Sequence, residues 1–312
     1  MVEYIYKNQT GEVKMKNLNT IGWIGTGVMG NSMCQHIIKA GYKVYVYTRT
    51  KSKAENLIAM GAIWCESPAD VAKNSEIVFS IVSTPKDVRE VFLSDNGVIK
   101  NLKEGGIIVD MTTSSPHLAE EIYQKASERG ISSLDAPVSG GDIGAKNGTL
   151  SIMVGGDKET FEKVLPLFKL MGKNITYMGK PGNGQHTKMA NQIHIATTMI
   201  GAVESLIYGY KAGLDLNEMI KAIGSGAAGS WTINNLGPRI IKRDFDPGFF
   251  IEHFIKDMGI ALEEAKRMKI SLPGLSLAYQ FYIAAEAMGL GKNGTQALSL
   301  VLEKLNNIEI KT

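Results

Sequence analysis

The stretch Thr20-Ile-Gly-Trp-Ile-Gly25-Thr-Gly27-Val-Met-Gly30 joins a short apolar run to a glycine-spaced turn. A helical stretch follows as far as Ala40-Gly41, and Lys43 to Tyr47 is a second β-rich run. Strand, G-x-G-x-x-G turn, helix and strand together spell a βαβ unit of the dinucleotide-binding kind. The first glycine permits the tight turn, the second lets the backbone approach a pyrophosphate, and the third lets helix and strand pack closely. The phosphates then rest on the helix N-terminus, which makes Gly25, Thr26, Gly27, Val28, Met29 and Gly30 the expected contacts.

The residue that reads the adenosine ribose is expected at the end of the second strand, where the chain has Thr48-Arg49-Thr50-Lys51-Ser52-Lys53. An acid there would bond the ribose hydroxyls of NAD and repel a 2′-phosphate. Hydroxyls and cations instead suit the 2′-phosphate, with Arg49 as the planar fork and Thr48, Thr50 and Lys53 beside it. NADP(H) is therefore preferred and NAD(H) remains possible, the alternative being an ordinary basic loop.

Strand and helix signals keep alternating. Ile77 to Val82 and Ile107 to Asp110 read as buried strands, and Pro85 to Leu93 and Pro116 to Arg129 as helices with proline in the first turn. The rhythm predicts a Rossmann-type, doubly wound, mostly parallel α/β sheet covered on both faces. Ser83-Thr84 and Thr112-Thr113-Ser114 follow two of those strands and are either cofactor contacts or helix caps.

Asp135-Ala-Pro-Val-Ser139-Gly140-Gly141-Asp-Ile-Gly144-Ala-Lys-Asn-Gly148 is too rich in glycine for a core element. It predicts a loop whose backbone N–H groups surround an anion, with the Ser139 hydroxyl as a further donor. Two more strands, Ser151 to Val154 and Ile175 to Met178, flank a helix from about 158 to 171.

Beyond Pro181 the strand signal disappears. Gly182-Asn-Gly-Gln-His-Thr-Lys188-Met-Ala-Asn191-Gln192 opens a long helix on which Met189, Ile193, Ala196, Ile200, Val203, Ile207 and Tyr210 form one apolar stripe, stopped by Gly213. Lys188, Asn191 and Gln192 stand at i, i+3 and i+4 and neighbour one another near the helix start. The positive end of the helix disfavours an ammonium there, which suits a proton donor and acceptor near neutral pH. Further helices are expected from Asp215, within 249–268 with Lys256-Asp257 at its start, over 273–288 and over 295–305, with a flexible break at Gly224 to Trp231. The expected organisation is a polar leader over 1–19, either mobile or preceding an alternative start, a Rossmann domain over 20–181, and an all-helical substrate and oligomerisation domain over 182–312.

A net charge of +3 without a basic tract implies neither nucleic acid nor an anionic membrane as partner. No apolar run is long enough to span a bilayer. Cys34 and Cys65 stand in unrelated contexts, which reads as a reducing cytoplasm rather than a disulfide or metal site.

Four blocks in order, Gly25-x-Gly27-x-x-Gly30, Asp135-Ala-Pro-Val-Ser-Gly-Gly141, Gly182-x-Gly-x-x-x-Lys188-x-x-Asn191-Gln192 and Lys256-Asp257, resemble the β-hydroxyacid dehydrogenase family over nearly the whole chain from Ile21. That family includes 3-hydroxyisobutyrate dehydrogenases, tartronate semialdehyde reductases and glyoxylate/succinic semialdehyde reductases. The resemblance implies Lys188 as the catalytic lysine, with no metal required, and Ser139-Gly140-Gly141 as the cradle of a small carboxylate substrate. It implies Asn191, with Gln192 beside it, as substrate contact, Lys256 near nicotinamide and substrate, and Thr113 at the cofactor. Val82-Ser83 stands where many members have Leu-Pro, and Gly229 to Asn235 resembles the tartronate semialdehyde reductase version, with Trp231 either shaping the pocket or packing in the core. The resulting expectation is a homodimeric or homotetrameric, NADP(H)-preferring oxidoreductase that moves a hydride between nicotinamide and a small 3-hydroxy acid or the matching 3-oxo acid or semialdehyde, with the lysine as general acid and base and reduction as the cellular direction. The alternatives are an NAD-dependent 3-hydroxyisobutyrate-type dehydrogenase and a non-catalytic dinucleotide sensor.

Overall fold

The protein is described here by a computed structural model covering residues 5–7, 13–15 and 19–311. The strands β1 (Ile5–Lys7) and β2 (Val13–Met15) pair antiparallel with each other. The rest of the expected leader, 1–4, 8–12 and 16–18, lies outside the described residues. The chain divides into two compact units, one up to Lys188 and one from Met189.

The first unit is built on a sheet of nine strands among the described residues. Its strands are β3 (Thr20–Ile24), β4 (Lys43–Tyr47), β5 (Ile63–Trp64), β6 (Ile77–Ser80), β7 (Ile107–Asp110), β8 (Ser132–Asp135), β9 (Val138–Ser139), β10 (Leu150–Gly156) and β11 (Gly172–Gly179). Six of them run parallel in the order β5-β4-β3-β6-β7-β8, the doubly wound order that reverses beside β3. β10 joins antiparallel to β8 and to the short β9, and β11 extends it in parallel. The mostly parallel sheet expected from the sequence is thus present.

Alternation along the strands gives the sheet two cores. On one face Ile21, Trp23, Phe79 and Val109 pack under α1 (Val28–Lys39), α2 (Glu55–Ala59) and later α8 (Lys158–Met171). On the other, Ile24, Val78 and Ile108 meet α3 (Pro68–Lys73), α4 (Pro85–Leu93), α5 (Val98–Asn101) and α6 (Pro116–Ser127). Apolar residues at consecutive positions of a strand therefore face opposite layers, so these strands read as unbroken apolar runs.

The glycine-rich segment departs from its expected loop form. Ser139 ends β9, Gly140 and Gly141 turn the chain with φ of 128° and 63°, and Gly141–Asn147 then forms helix α7, closed by Gly148 at φ 64°. Ala145 and Gly144 are buried, so the small residues permit close packing as well as turning.

α9 (Asn183–Lys211) is one unbroken helix of 29 residues that leads from the first unit into the second. The second unit adds α10 (Leu216–Gly224), a π-helical turn over Thr232–Leu236, α11 (Gly237–Ile241), α12 (Ile251–Met268), α13 (Pro273–Ala287) and α14 (Leu298–Leu305). The α9 stripe is buried at Met189, Ala196, Ile200, Val203 and Ile207 and packs in one core with Phe254, Met258, Tyr282 and Leu298. Lys256 and Asp257 lie in the second turn of α12 and not at a helix start, because the helix begins at Ile251. None of the described helices is long and apolar enough to cross a membrane.

Candidate functional site

At the carboxyl end of β3 the backbone turns sharply through Gly25, whose φ is +95°. A Cβ there would lie 2.1 Å from the Ile81 carbonyl oxygen, and one on Gly30 would lie 2.2 Å from the Gly25 carbonyl oxygen. Those two glycines are required by the protein's own packing. Gly27 is different: it is exposed, its φ of −67° suits any residue, and a Cβ on it would meet nothing within 4 Å. It caps α1 without any side-chain hydrogen bond. Beside it the Thr26 hydroxyl is buried with no hydrogen-bond partner among the described residues. An open helix N-terminus, an orphaned hydroxyl and a glycine that the protein's own packing does not require fit a dinucleotide pyrophosphate.

The second strand ends at Tyr47, and the loop beyond it exposes Arg49, Thr50 and Lys53. Arg49 Nη1 lies 2.9 Å from Asp87 Oδ1. Asp87 belongs to a capping box at the start of α4, accepting from Thr84 N at 3.0 Å and Thr84 Oγ1 at 2.7 Å. The capping alternative therefore holds for Thr84.

A buried polar network ties the strand ends to the start of α9. Gln185, fully buried, donates from its backbone N to Asp135 Oδ2 at 2.8 Å and from Nε2 to the Thr112 carbonyl at 2.7 Å, and its Oε1 accepts from Ser114 N at 2.9 Å. Gly182 N donates to Asp135 Oδ1 at 2.8 Å, and Val82 N donates to Thr112 Oγ1 at 2.9 Å. Thr112 and Ser114 are thus buried parts of the scaffold, which leaves half-buried Thr113 as the accessible residue of that trio. Lys188 stands one helical turn after Gln185 and is 6% exposed. The network was missed in the sequence, although Gln185 lies four residues before Met189 on the apolar stripe of α9. A polar residue on such a stripe requires buried partners.

Burial pushes the Asp135 carboxyl up to about 7, against the backbone N–H groups of Gln185, Gly182 and Asp135 itself that favour its charged form, and the nearby Asp110 carboxyl adds to the rise. The folded protein therefore keeps this proton through the window from about pH 4 to about pH 7 in which an unfolded chain has lost it. Stability contributed by Asp135 is present below that window and is lost as pH rises through it, by up to about 4 kcal/mol. Unfolding midpoints of the protein and of Asp135→Asn, compared at about pH 5 and about pH 8, are expected to show a steeper fall with pH for the unsubstituted protein. Parallel profiles would remove Asp135 as the titrating group.

Asn191, Gln192 and Lys256 come together in the second unit. Asn191 Nδ2 donates to Gln192 Oε1 at 2.8 Å, Gln192 Nε2 donates to Asp257 Oδ2 at 2.6 Å, and Lys256 Nζ lies 2.8 Å from Asp257 Oδ1. Asp257, 1% exposed, is the hub of this cluster, a role the Lys256-Asp257 pair did not reveal in the sequence. Trp231 is not part of the cluster. It is 69% exposed and does not pack in the core.

Sheet order and phosphate turn are those of a dinucleotide-binding unit, and comparison with known proteins narrows the class. Residues 20–179 match the family described as the NAD binding domain of 6-phosphogluconate dehydrogenase. Residues 182–302 match the family described as NAD-binding of NADP-dependent 3-hydroxyisobutyrate dehydrogenase. The probable 3-hydroxyisobutyrate dehydrogenase-like 1, mitochondrial, of Arabidopsis thaliana is 57% identical, over 94% of this chain and 87% of its own. The 2-hydroxy-3-oxopropionate reductase of Escherichia coli strain K12 is 40% identical, over 92% of this chain and 98% of its own. The structure of Psf3 in complex with NADP+ and 2-OPP superposes with a TM-score of 0.81 at 26% identity, covering 90% of this chain and 99% of the other. The chain belongs to the 3-hydroxyisobutyrate dehydrogenase, or β-hydroxyacid dehydrogenase, family of NAD(P)-dependent oxidoreductases.

Proposed function

We propose that the protein moves a hydride between NADP(H) and a small 3-hydroxy acid or the matching 3-oxo acid or semialdehyde, with reduction as the cellular direction. The observation that carries this reading is Lys188, a buried lysine in a helix whose first turn is locked to the strand ends through Asp135 and Gln185. When bound, the nicotinamide supplies or accepts the hydride at C4. In reduction the Lys188 ammonium gives a proton to the carbonyl oxygen as the carbon gains the hydride; in oxidation the neutral amine takes it from the hydroxyl. Ser139 and the N–H groups of the Gly140-Gly141 turn hold the substrate carboxylate. Asn191 and Gln192 contact the substrate and Lys256 approaches it, Gln192 and Lys256 being held by Asp257 and Asn191 by Gln192.

Gly25 to Gly30 take the pyrophosphate, Val82, Ser83 and Thr113 make further cofactor contacts, and Thr48, Arg49, Thr50 and Lys53 take the 2′-phosphate. The NADP preference is supported by the absence of an acid at Thr48, by the NADP-dependent description of the matching helical family and by NADP+ in the Psf3 structure. The semialdehyde class is supported by the 2-hydroxy-3-oxopropionate reductase relative. Assembly as a homodimer or homotetramer through the helical unit accords with exposed Tyr208, Leu214 and Trp231 there. Two buried free thiols accord with a cytoplasmic setting, whereas the Arabidopsis relative carries a mitochondrial name.

The test is an absorbance assay of the purified protein with NADPH and NADH separately, against glyoxylate and succinic, tartronate and methylmalonate semialdehydes. Turnover of one aldehyde acid with NADPH is expected. Silence across the panel while NADPH still binds would favour a dinucleotide sensor.

A further inference from the structure

We infer that Asp87 is a specificity-determining residue that limits how strongly the site favours a 2′-phosphate. The inference rests on the assignment of Arg49 to that phosphate. No acid ends β4, where Thr48 stands, yet Asp87 brings a carboxylate to the same guanidinium from α4, with Oδ1 2.9 Å from Arg49 Nη1.

The two partners are held very differently. The Asp87 side chain is 15% exposed, and its other oxygen is clamped by the backbone and hydroxyl of Thr84. Arg49 is 69% exposed and depends on the pair for its orientation. The carboxylate is therefore the fixed charge and the guanidinium the adaptable one.

Two opposed effects follow. By holding the fork in place Asp87 spares some ordering entropy, but an exposed ion pair of this kind is worth less than about fivefold in affinity. Against that, a phosphate gripping the same fork brings nearly two negative charges close to a carboxylate that cannot withdraw. Even in a water-like dielectric at physiological salt, that repulsion weakens binding by about threefold to tenfold. Repulsion wins. NADH, with a neutral hydroxyl at that position, does not experience it, so Asp87 narrows the gap between the two cofactors.

Dissociation constants for NADPH and NADH, measured by nicotinamide fluorescence on the full chain, test this with Asp87→Asn, Arg49→Ala and the double variant. Asparagine keeps an oxygen that can accept from Thr84, and NADH affinity within about twofold of the unsubstituted protein reports an intact site. With the lost ordering set against the relieved repulsion, Asp87→Asn is expected to tighten NADPH by about twofold to fivefold. Arg49→Ala is expected to weaken NADPH by at least about tenfold and NADH much less. In that background, with the carboxylate left unpaired, adding Asp87→Asn recovers more NADPH affinity than it gains alone. Unchanged or weaker NADPH binding in Asp87→Asn overturns the inference while the Arg49 assignment stands. Equal weakening of both cofactors by Arg49→Ala overturns that assignment, and the inference with it.

Discussion

Lys188→Ala is expected to lower turnover by about 10²- to 10⁴-fold, the range that a positioned general acid and base contributes. The anchors of the helix are other groups: Asp135 and Gln185 still hold the first turn of α9, and the phosphate turn lies on other elements. NADPH affinity is therefore expected to stay within about twofold, since binding and proton transfer use different groups. Steady-state turnover with the active aldehyde acid, alongside a fluorescence titration of NADPH, separates the two quantities. A variant that keeps more than about a tenth of the turnover would remove the lysine from the mechanism.

The second large effect is expected at Gly27. Its φ of −67° is open to any L-residue and its Cβ would meet no protein atom within 4 Å, so Gly27→Ala leaves folding unperturbed, with Tm within about 2 °C. The added methyl projects where the backbone must approach a pyrophosphate, and NADPH affinity falls by about 10- to 100-fold. Gly25→Ala is the contrasting control. There the φ of +95° and the Ile81 carbonyl 2.1 Å away lower Tm itself. Thermal melts and NADPH titrations of both variants decide the point. Unchanged affinity in a well-folded Gly27→Ala protein would remove this turn from cofactor binding.

What the sequence disclosed and what it hid follow one physical rule. Strands β3, β4, β6 and β7 were legible because buried parallel strands are continuous apolar runs, and α4 because proline stands in its first turn. The first turn of the sheet was legible because three glycines at fixed spacing answer to a single geometry. The two-residue strands β5 and β9 were not, since pairs of residues carry no period. Helix α7 was hidden because glycine's low helix propensity was overridden by close packing of Gly144 and Ala145. Asp135, Gln185, Asp87 and Asp257 were hidden for another reason. Each acts through partners between 38 and 73 positions away in sequence, in contacts that only the folded topology creates.

The rims of the sheet also govern how the protein behaves in crowded solution. One rim is β5, only two residues long, with the Lys51 ammonium 5.1 Å above the Trp64 ring. A strand so short offers an incoming chain almost no ladder to extend. The other rim is β11, whose eight residues include exposed Lys173 and Asn174 next to its buried first glycine. A strand adding there would have to desolvate that lysine and lie along glycine-ended backbone, so a sheet this wide can stay dispersed without closing into a barrel.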